Sequence, residues 1–194
     1  MTDTPRPGYH HGAVREEAQQ AAAELLREGG PAAVTVRAIA SRVGVTHAAL
    51  YRHIESVESL FDTLAANYLD RFVVTHDDGR TPSVEQFLEH YARLAVTEPQ
   101  LYRLVFSREN GQHPDSSTHQ ALTRLRRHAQ RVFTAHWPQD SPTATMHRVI
   151  RTWSTVHGMV DLAALGLVNT NGGADGLARY VARSAQRAAE APAR

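Results

Sequence analysis

Apolar side chains recur three and four positions apart along almost the whole chain, and no stretch alternates apolar and polar residues like a half-buried strand. Val14, Ala18 and Leu25 belong to one such stripe, which Gly29-Gly30-Pro31 terminates. Further helices are predicted over Leu60–Phe72, Val84–Leu94, Leu101–Phe106, Leu122–Phe133, Thr143–Val168 and Asp175–Ala191, the last with Asp175 as its cap. With two short helices described below, the pattern predicts an all-α fold of about nine helices.

The segment TVRAIASRVGVTHAALYRHI, Thr35 to Ile54, holds three arginines, two histidines and no acidic residue. The whole chain carries 21 Lys plus Arg against 20 Asp plus Glu, a net charge of +1, so positive charge is concentrated locally rather than spread over the protein. Chance can produce such a gap, but a surface without carboxylates also favours contact with nucleic acid. The spacing of residues inside the segment separates these two explanations.

Two short helices that cross steeply are predicted inside this segment. Thr35 caps the first and Thr46 the second, while Gly44 between them suits the left-handed conformation of a tight turn. Ala40 leaves room where the helices cross. This spacing is typical of a helix-turn-helix, whose second helix enters the major groove of DNA while the first braces it on the backbone. We therefore predict binding to double-stranded DNA.

The outward-facing residues of this motif are the candidate DNA contacts. His47 and Ala48 are predicted at base edges, and the candidates for phosphate contact are Arg37, Thr46, Tyr51 and His53. Two alternatives stay open, since Tyr51 and His53 can pack against the next helix and Arg52 can be a solvated surface residue. The full predicted set is Thr35, Arg37, Thr46, His47, Ala48, Tyr51, Arg52 and His53.

Followed by SVESLFDTLA as a connecting helix, this segment resembles the tetracycline-repressor (TetR) family of bacterial regulators. YHHG at Tyr9 to Gly12 and WSTVHG at Trp153 to Gly158 resemble a subgroup with a Trp-His-Gly signature. The resemblance implies a homodimer with a DNA-binding domain at residues 1–55 and a ligand-binding and dimerisation domain at residues 56–194. It also implies a transcriptional regulator, most often a repressor that a small-molecule effector releases from a palindromic operator.

One position departs from the family pattern. The family usually carries a lysine shortly after the recognition helix, where it can pair with phosphate, and here that position is Val57. Backbone amides at a helix N-terminus can replace part of such a contact. The departure predicts a lower nonspecific affinity for DNA than is usual in the family.

Aromatic residues on several predicted helices are candidates for the effector pocket that the resemblance implies. Trp153 and His157 lie four apart on one helix face, which suits a pocket wall and a plain core equally well. An aromatic lining favours an apolar or planar ligand, with His157 and the two tyrosines as polar handles. The predicted pocket consists of Phe72, Tyr91, Tyr102, Phe106, Phe133, Trp153 and His157.

The last two predicted helices are rich in small residues that allow close helix approach. Two such helices meeting their symmetry mates would form a four-helix bundle, and burial within one chain is the alternative. The resemblance favours dimerisation here. The predicted interface consists of Val160, Ala164, Leu167, Leu177, Val181, Ser184 and Ala188.

Composition and spacing limit other chemistry. The chain has no cysteine, and its 12 histidines show no HExxH spacing, so no metal or cofactor is predicted. No nucleophile–base pair or carboxylate cluster falls on a shared face, so we predict no catalytic residue and hold an enzyme as the less favoured alternative. The N-terminus lacks a signal-peptide pattern and no apolar run is long enough to span a bilayer, which favours a cytoplasmic protein without a membrane partner.

A third hypothesis is a constitutive DNA-binding dimer without a ligand. Its C-terminal helices would then serve only to dimerise. A filled core favours this hypothesis, whereas a pocket of a few hundred Å3 favours an effector-controlled regulator.

Overall fold

The computed structural model describes residues 11–73, 79–106, 115–168 and 170–191. Within these ranges the chain forms nine α-helices and no strand, which confirms the all-α prediction. They are α1 (His11–Gly29), α2 (Val36–Val43), α3 (His47–Leu50), α4 (Val57–Asp70), α5 (Val84–Thr97), α6 (Pro99–Phe106), α7 (Ser117–His136), α8 (Pro142–Ala164) and α9 (Gly173–Glu190). None of these helices is long and apolar enough to cross a membrane. Tyr9 and His10 lie outside the described residues.

The predicted helix-turn-helix is α2 and α3. Thr35 Oγ1 accepts a hydrogen bond from the Ala38 amide at 3.1 Å, and Thr46 Oγ1 accepts one from the Ala49 amide at 3.2 Å. Gly44 ends α2 in the left-handed region, with φ of 78°. Both caps and the glycine turn are therefore confirmed. These local hydrogen bonds satisfy amides that have no partner inside so short a helix.

The second helix of the motif is shorter than its sequence pattern indicates. Regular α-helix ends at Leu50, and residues 51–53 continue as a tighter turn, in which the amides of Arg52 and His53 donate to carbonyls three residues earlier. Hydrogen bonds of that spacing commonly close a helix end. Tyr51 and Arg52 therefore lie in the turn rather than on a continuous helix.

Helix α4 joins the helix-turn-helix to the rest of the molecule, and two of its carboxylates bind α7. Asp62 accepts hydrogen bonds from the backbone amides of Ser117 at 2.8 Å and Thr118 at 3.0 Å, so one helix caps the N-terminus of another. Burial alone would raise the pKa of Asp62, but these hydrogen bonds outweigh it and hold the pKa below its ordinary value. Arg124 binds Asp70 through two nitrogens, at 2.9 and 2.7 Å.

The body of the molecule is built around α9, which packs between α5 and α8. Its buried face consists of Val181 and four alanines. Gly172 precedes the helix without a side-chain cap, and Asp175 lies inside the first turn, so the prediction that Asp175 caps this helix is wrong. Helix α8 ends at Ala164 rather than near Val168, and the described residues between α8 and α9 are 165–168 and 170–172.

An almost fully buried arginine lies where the loop before α8 meets the last turn of α9. Arg148 is 8% exposed, and its Nε donates to Asp140 Oδ2 at 2.5 Å. A second nitrogen donates to the Ala189 carbonyl at the end of α9, and the guanidinium lies 4.5 Å from the centre of the Trp137 ring. A positive charge at a helix C-terminus complements the helix dipole. Arg148 thus ties the loop before α8 to the last turn of α9.

Candidate DNA-binding surface and effector cavity

The helix-turn-helix presents most of the predicted DNA contacts to solvent. Tyr51 is 56% exposed, so it does not pack against the next helix as the alternative required. His53 is the exception, since its side chain is half-buried and its carbonyl accepts a hydrogen bond from Arg15 Nε at 3.1 Å. The exposed candidates are Thr35, Arg37, Thr46, His47, Ala48, Tyr51 and Arg52.

The arginines of the motif divide into two kinds. Arg42 binds Glu28 of α1 through two nitrogens, both at 2.9 Å, and this pairing lowers the pKa of the Glu28 carboxyl. Arg37 and Arg52 make no ion pair with any described residue. Arg42 therefore holds α2 against α1, while Arg37 and Arg52 keep their charge available to an external anion.

Val57 is the first residue of α4, directly after Ser56, which caps that helix. Its side chain is half-buried and packs against the core. The position lies at a helix N-terminus, where backbone amides face outward and favour an anion.

Six of the seven predicted effector residues form one aromatic cluster in the body, whereas the ring of Phe133 packs against Trp137. The rings of Phe72 and Tyr91 lie 4.6 Å apart, and Trp153 Nε1 donates to the Tyr91 hydroxyl at 2.5 Å. His157 packs against Phe106 at 4.3 Å and against Tyr102 at 5.3 Å, between ring centres. Burial lowers the pKa of His157 and raises the pKa of Tyr91 and Tyr102, so these groups are uncharged near neutral pH.

The space enclosed beside this cluster is small. The cavity measures about 20 Å3, room for about one water molecule, between α5, α7 and α8. Tyr91, Phe133 and Trp153 line it, but the other four predicted pocket residues, Phe72, Tyr102, Phe106 and His157, do not. The lining residues that the sequence prediction missed are Phe87, Leu88, Leu125, Ala129, Val149, Thr152 and Val156. Phe87, Leu88, Leu125 and Ala129 belong to the helical stripes visible in the sequence, so their spacing was the available signal.

A carboxylate connects this body to the DNA-binding end. Glu98, between α5 and α6, accepts a hydrogen bond from Arg27 of α1 at 3.1 Å and pairs with Arg71 at the end of α4. Its side chain is 16% exposed, whereas both arginines are about half exposed. Three separate segments of the chain therefore meet at one carboxylate, four residues before Tyr102.

The structure buries some of the predicted dimer-interface residues and exposes others. Val160 and Val181 are buried inside the chain, at 6% and 0% exposure, because the face of α9 that carries Val181 packs against its own chain and Val160 lies on the buried side of α8. Ala164 and Leu167 are exposed, while Leu177, Ser184 and Ala188 are half-buried. The exposed stripe of α8 is instead formed by Ile150, Ser154, Gly158 and Leu162, and it is followed by exposed Leu165 directly after the helix, with Tyr180 exposed on α9.

An exposed helix-turn-helix on an all-helical body is the arrangement of a DNA-binding transcriptional regulator. Residues 20–64 match the family described as "Bacterial regulatory proteins, tetR family", and residues 84–185 match "Tetracyclin repressor-like, C-terminal domain". The second match alone covers more than half of the chain. The protein therefore belongs to the TetR family.

Individual proteins resemble the chain in part of the sequence or in the fold. The class D tetracycline repressor protein of Escherichia coli is 33% identical over 79 residues, a match that covers 41% of this chain and only 34% of that repressor. A protein of unknown function from Rhodococcus sp. RHA1 superposes with a TM-score of 0.70 at 21% identity, over 94% of this chain and 98% of the other. A TetR variant from Acinetobacter baumannii AYE, in complex with minocycline, superposes with a TM-score of 0.58 at 21% identity, over 94% and 95%.

Proposed function

We propose that this protein is a cytoplasmic transcriptional repressor that binds a palindromic operator as a homodimer and leaves it when a small molecule binds the body. The observation that carries the proposal is the capped helix-turn-helix whose exposed face holds no carboxylate. Phosphate oxygens repel carboxylates. Each guanidinium that approaches DNA instead releases condensed counterions, and this release favours binding. Exposed Arg37 and Arg52 supply such charges beside His47 at the start of α3.

One helix-turn-helix reads a single half-site, so a specific regulator of this kind requires two copies. The exposed apolar stripe of α8 supports α8 and α9 as the place where the copies meet. Ile150 and Leu162 of the stripe are 51% and 43% exposed, and Leu165 and Leu167, in the turn directly after α8, are 73% and 71% exposed, which together make an exposed apolar patch. Gly158 on the same stripe has open space above it and allows a partner helix to approach closely.

Selection of genomic DNA fragments by the purified protein tests DNA binding directly. We expect two symmetric half-sites, about one or more helical turns apart, with an affinity that falls steeply as salt rises. Leu162→Lys should separate the dimer and abolish protection of both half-sites, while Leu122→Lys, a half-buried position on α7, serves as a control for general damage. Recovery of random or nonpalindromic DNA would refute the proposal.

Release by an effector is supported by the aromatic cluster of the body and by the relative that carries minocycline. The closed core favours a second candidate, a constitutive DNA-binding dimer without an effector, because a cavity of about 20 Å3 admits no small organic molecule without opening. Screening a chemical library for compounds that release operator DNA separates the two. Compounds that release DNA and also change the emission of Trp153 support the repressor; a screen without any such compound supports the constitutive dimer.

A further inference from the structure

A buried imidazole near the cavity has no role in the packing described so far. His128 of α7 is 2% exposed, and its Nε2 atom has no hydrogen-bond partner among the described residues. Most buried polar atoms in folded proteins have a partner, because a buried nitrogen without one loses its hydrogen bonds to water and gains nothing in return. This nitrogen therefore marks a place where a second polar atom would be favourable.

One aromatic side chain contacts both this imidazole and the cavity. The Phe87 ring lines the cavity, and its centre lies 5.6 Å from the centre of the His128 ring. Leu125 and Ala129, on either side of His128 in the sequence, both line the cavity as well. A rotation of the Phe87 side chain would join the space around His128 to the cavity.

The polar groups that already line the cavity are occupied. The Trp153 indole donates to the Tyr91 hydroxyl, and the Thr152 hydroxyl donates to the Arg148 carbonyl at 2.7 Å. No charged side chain lines the cavity. A charged ligand would be buried there without an opposite charge, which costs several kcal/mol. A neutral ligand pays no such cost.

We propose that the effector is a neutral, mostly apolar molecule with one hydrogen-bonding group, and that the Nε2 atom of His128 binds that group once Phe87 rotates aside. The inference rests on the proposed effector-controlled function, and it replaces His157 and the tyrosines as the polar handle. Burial lowers the pKa of His128, with a smaller contribution from the charge of Arg131. An uncharged imidazole nitrogen donates or accepts according to its tautomer, so a hydroxyl and a carbonyl both suit it.

Two probe compounds that differ by one hydroxyl group, 4-methylphenol and toluene, test this assignment by NMR titration of the full-length protein. Both compounds must enlarge the cavity to enter, and the cost of admitting the methyl-substituted ring is common to them. The ratio of their affinities therefore isolates the hydroxyl group. We expect 4-methylphenol to bind about tenfold more tightly, the value of one net hydrogen bond that also satisfies a buried atom. The 15N signal of His128 Nε2 should shift with 4-methylphenol and not with toluene.

Variants of the imidazole identify the partner of the hydroxyl. His128→Leu should keep toluene binding and lose the preference, while His128→Gln, whose amide can reach the same place, should retain part of it. His119→Leu, at an exposed position on the same helix, should behave as the parent protein does. If His128→Leu does not fold, His128→Gln and the 15N shift in the parent protein decide the question.

Equal binding of the two probes to the parent protein would overturn the proposal, as would a preference that survives in His128→Leu. Binding of neither probe up to its solubility would also overturn it. Operator binding is measured separately on the same preparations. Loss of operator binding alone counts against the proposed regulator, and loss of the probe preference alone counts against the role of His128.

Discussion

The helix-turn-helix and the helical body differ in the exposure and the pairing of their polar side chains. In the motif, His47 and Arg37 are exposed and make no ion pair with a described carboxylate. In the body, His128 and Arg148 are almost fully buried, and Arg148 is neutralised by Asp140. The comparison shows that the first region depends on solvent and on an external anion for its charges, whereas the second region must satisfy its polar groups internally or leave them unpaired.

The largest effect should come from breaking the buried pair. Arg148→Ala leaves Asp140 as a largely buried carboxylate without its partner and leaves the Ala189 carbonyl of α9 without this donor. We expect the free energy of unfolding to fall by about 3–5 kcal/mol, measured by urea titration. The exposed Arg37→Ala, as a control, should change it by less than about 0.5 kcal/mol. Equal losses of unfolding free energy at the two positions would show that the buried and the exposed arginine contribute alike to stability, contrary to the comparison.

The next effect concerns DNA recognition by the exposed region. His47→Ala should change which base is preferred at one position of each half-site, at a cost of about 1–3 kcal/mol on the best operator. Its affinity for nonspecific DNA should stay the same, because no phosphate contact is lost. Binding to operator and to scrambled fragments at fixed salt measures both. Tyr51→Ala is the matched comparison, since loss of a phosphate contact should weaken binding to both fragments alike.

A smaller effect should come from the carboxylate that links the two regions. Glu98→Gln removes the charge that Arg27 and Arg71 share, and a partly exposed network of this kind contributes about 1 kcal/mol or less. We expect faster amide hydrogen exchange at the end of α1 while the body keeps its protection. Glu89→Gln breaks an exposed pair within α5 and should leave α1 unchanged. Unchanged exchange in Glu98→Gln would show that the regions are held together by packing alone.

The smallest expected effect comes from a substitution that strengthens DNA binding by the exposed region. Val57→Lys places an ammonium group at the N-terminus of α4, where the family usually has it, and should tighten binding to all DNA sequences modestly. The plot of log affinity against log salt should steepen by about 0.9, the value of one phosphate contact. Val57→Met is the control, since it keeps the packing of this half-buried side chain without the charge. An unchanged slope would mean that position 57 does not face phosphate.

The features predicted well from sequence are those fixed by neighbours along the chain. Thr35 and Gly44 act within a few residues of themselves, so their roles could be predicted before any packing was known. The Asp62 cap on α7 joins residues 55 positions apart and has no local signature. Likewise, helical spacing marks α8 as partly buried on one side, yet only the place of α9 decides that Val160 faces inward and Gly158 outward. The cavity residues depend on the same packing.

The alanines on the buried face of α9 also determine how this protein can change by mutation. Ala178, Ala185 and Ala189 are at most 1% exposed, and they lose no side-chain entropy when α9 docks. Apart from glycine, every new residue that a single-base change in an alanine codon introduces is larger, and added groups in a close-packed interface cost about 1–3 kcal/mol. The exposed face of α3 has no such restriction. Over generations, packing within the chain therefore leaves the surface proposed to read DNA unrestricted, whereas the buried face of α9 accepts few substitutions.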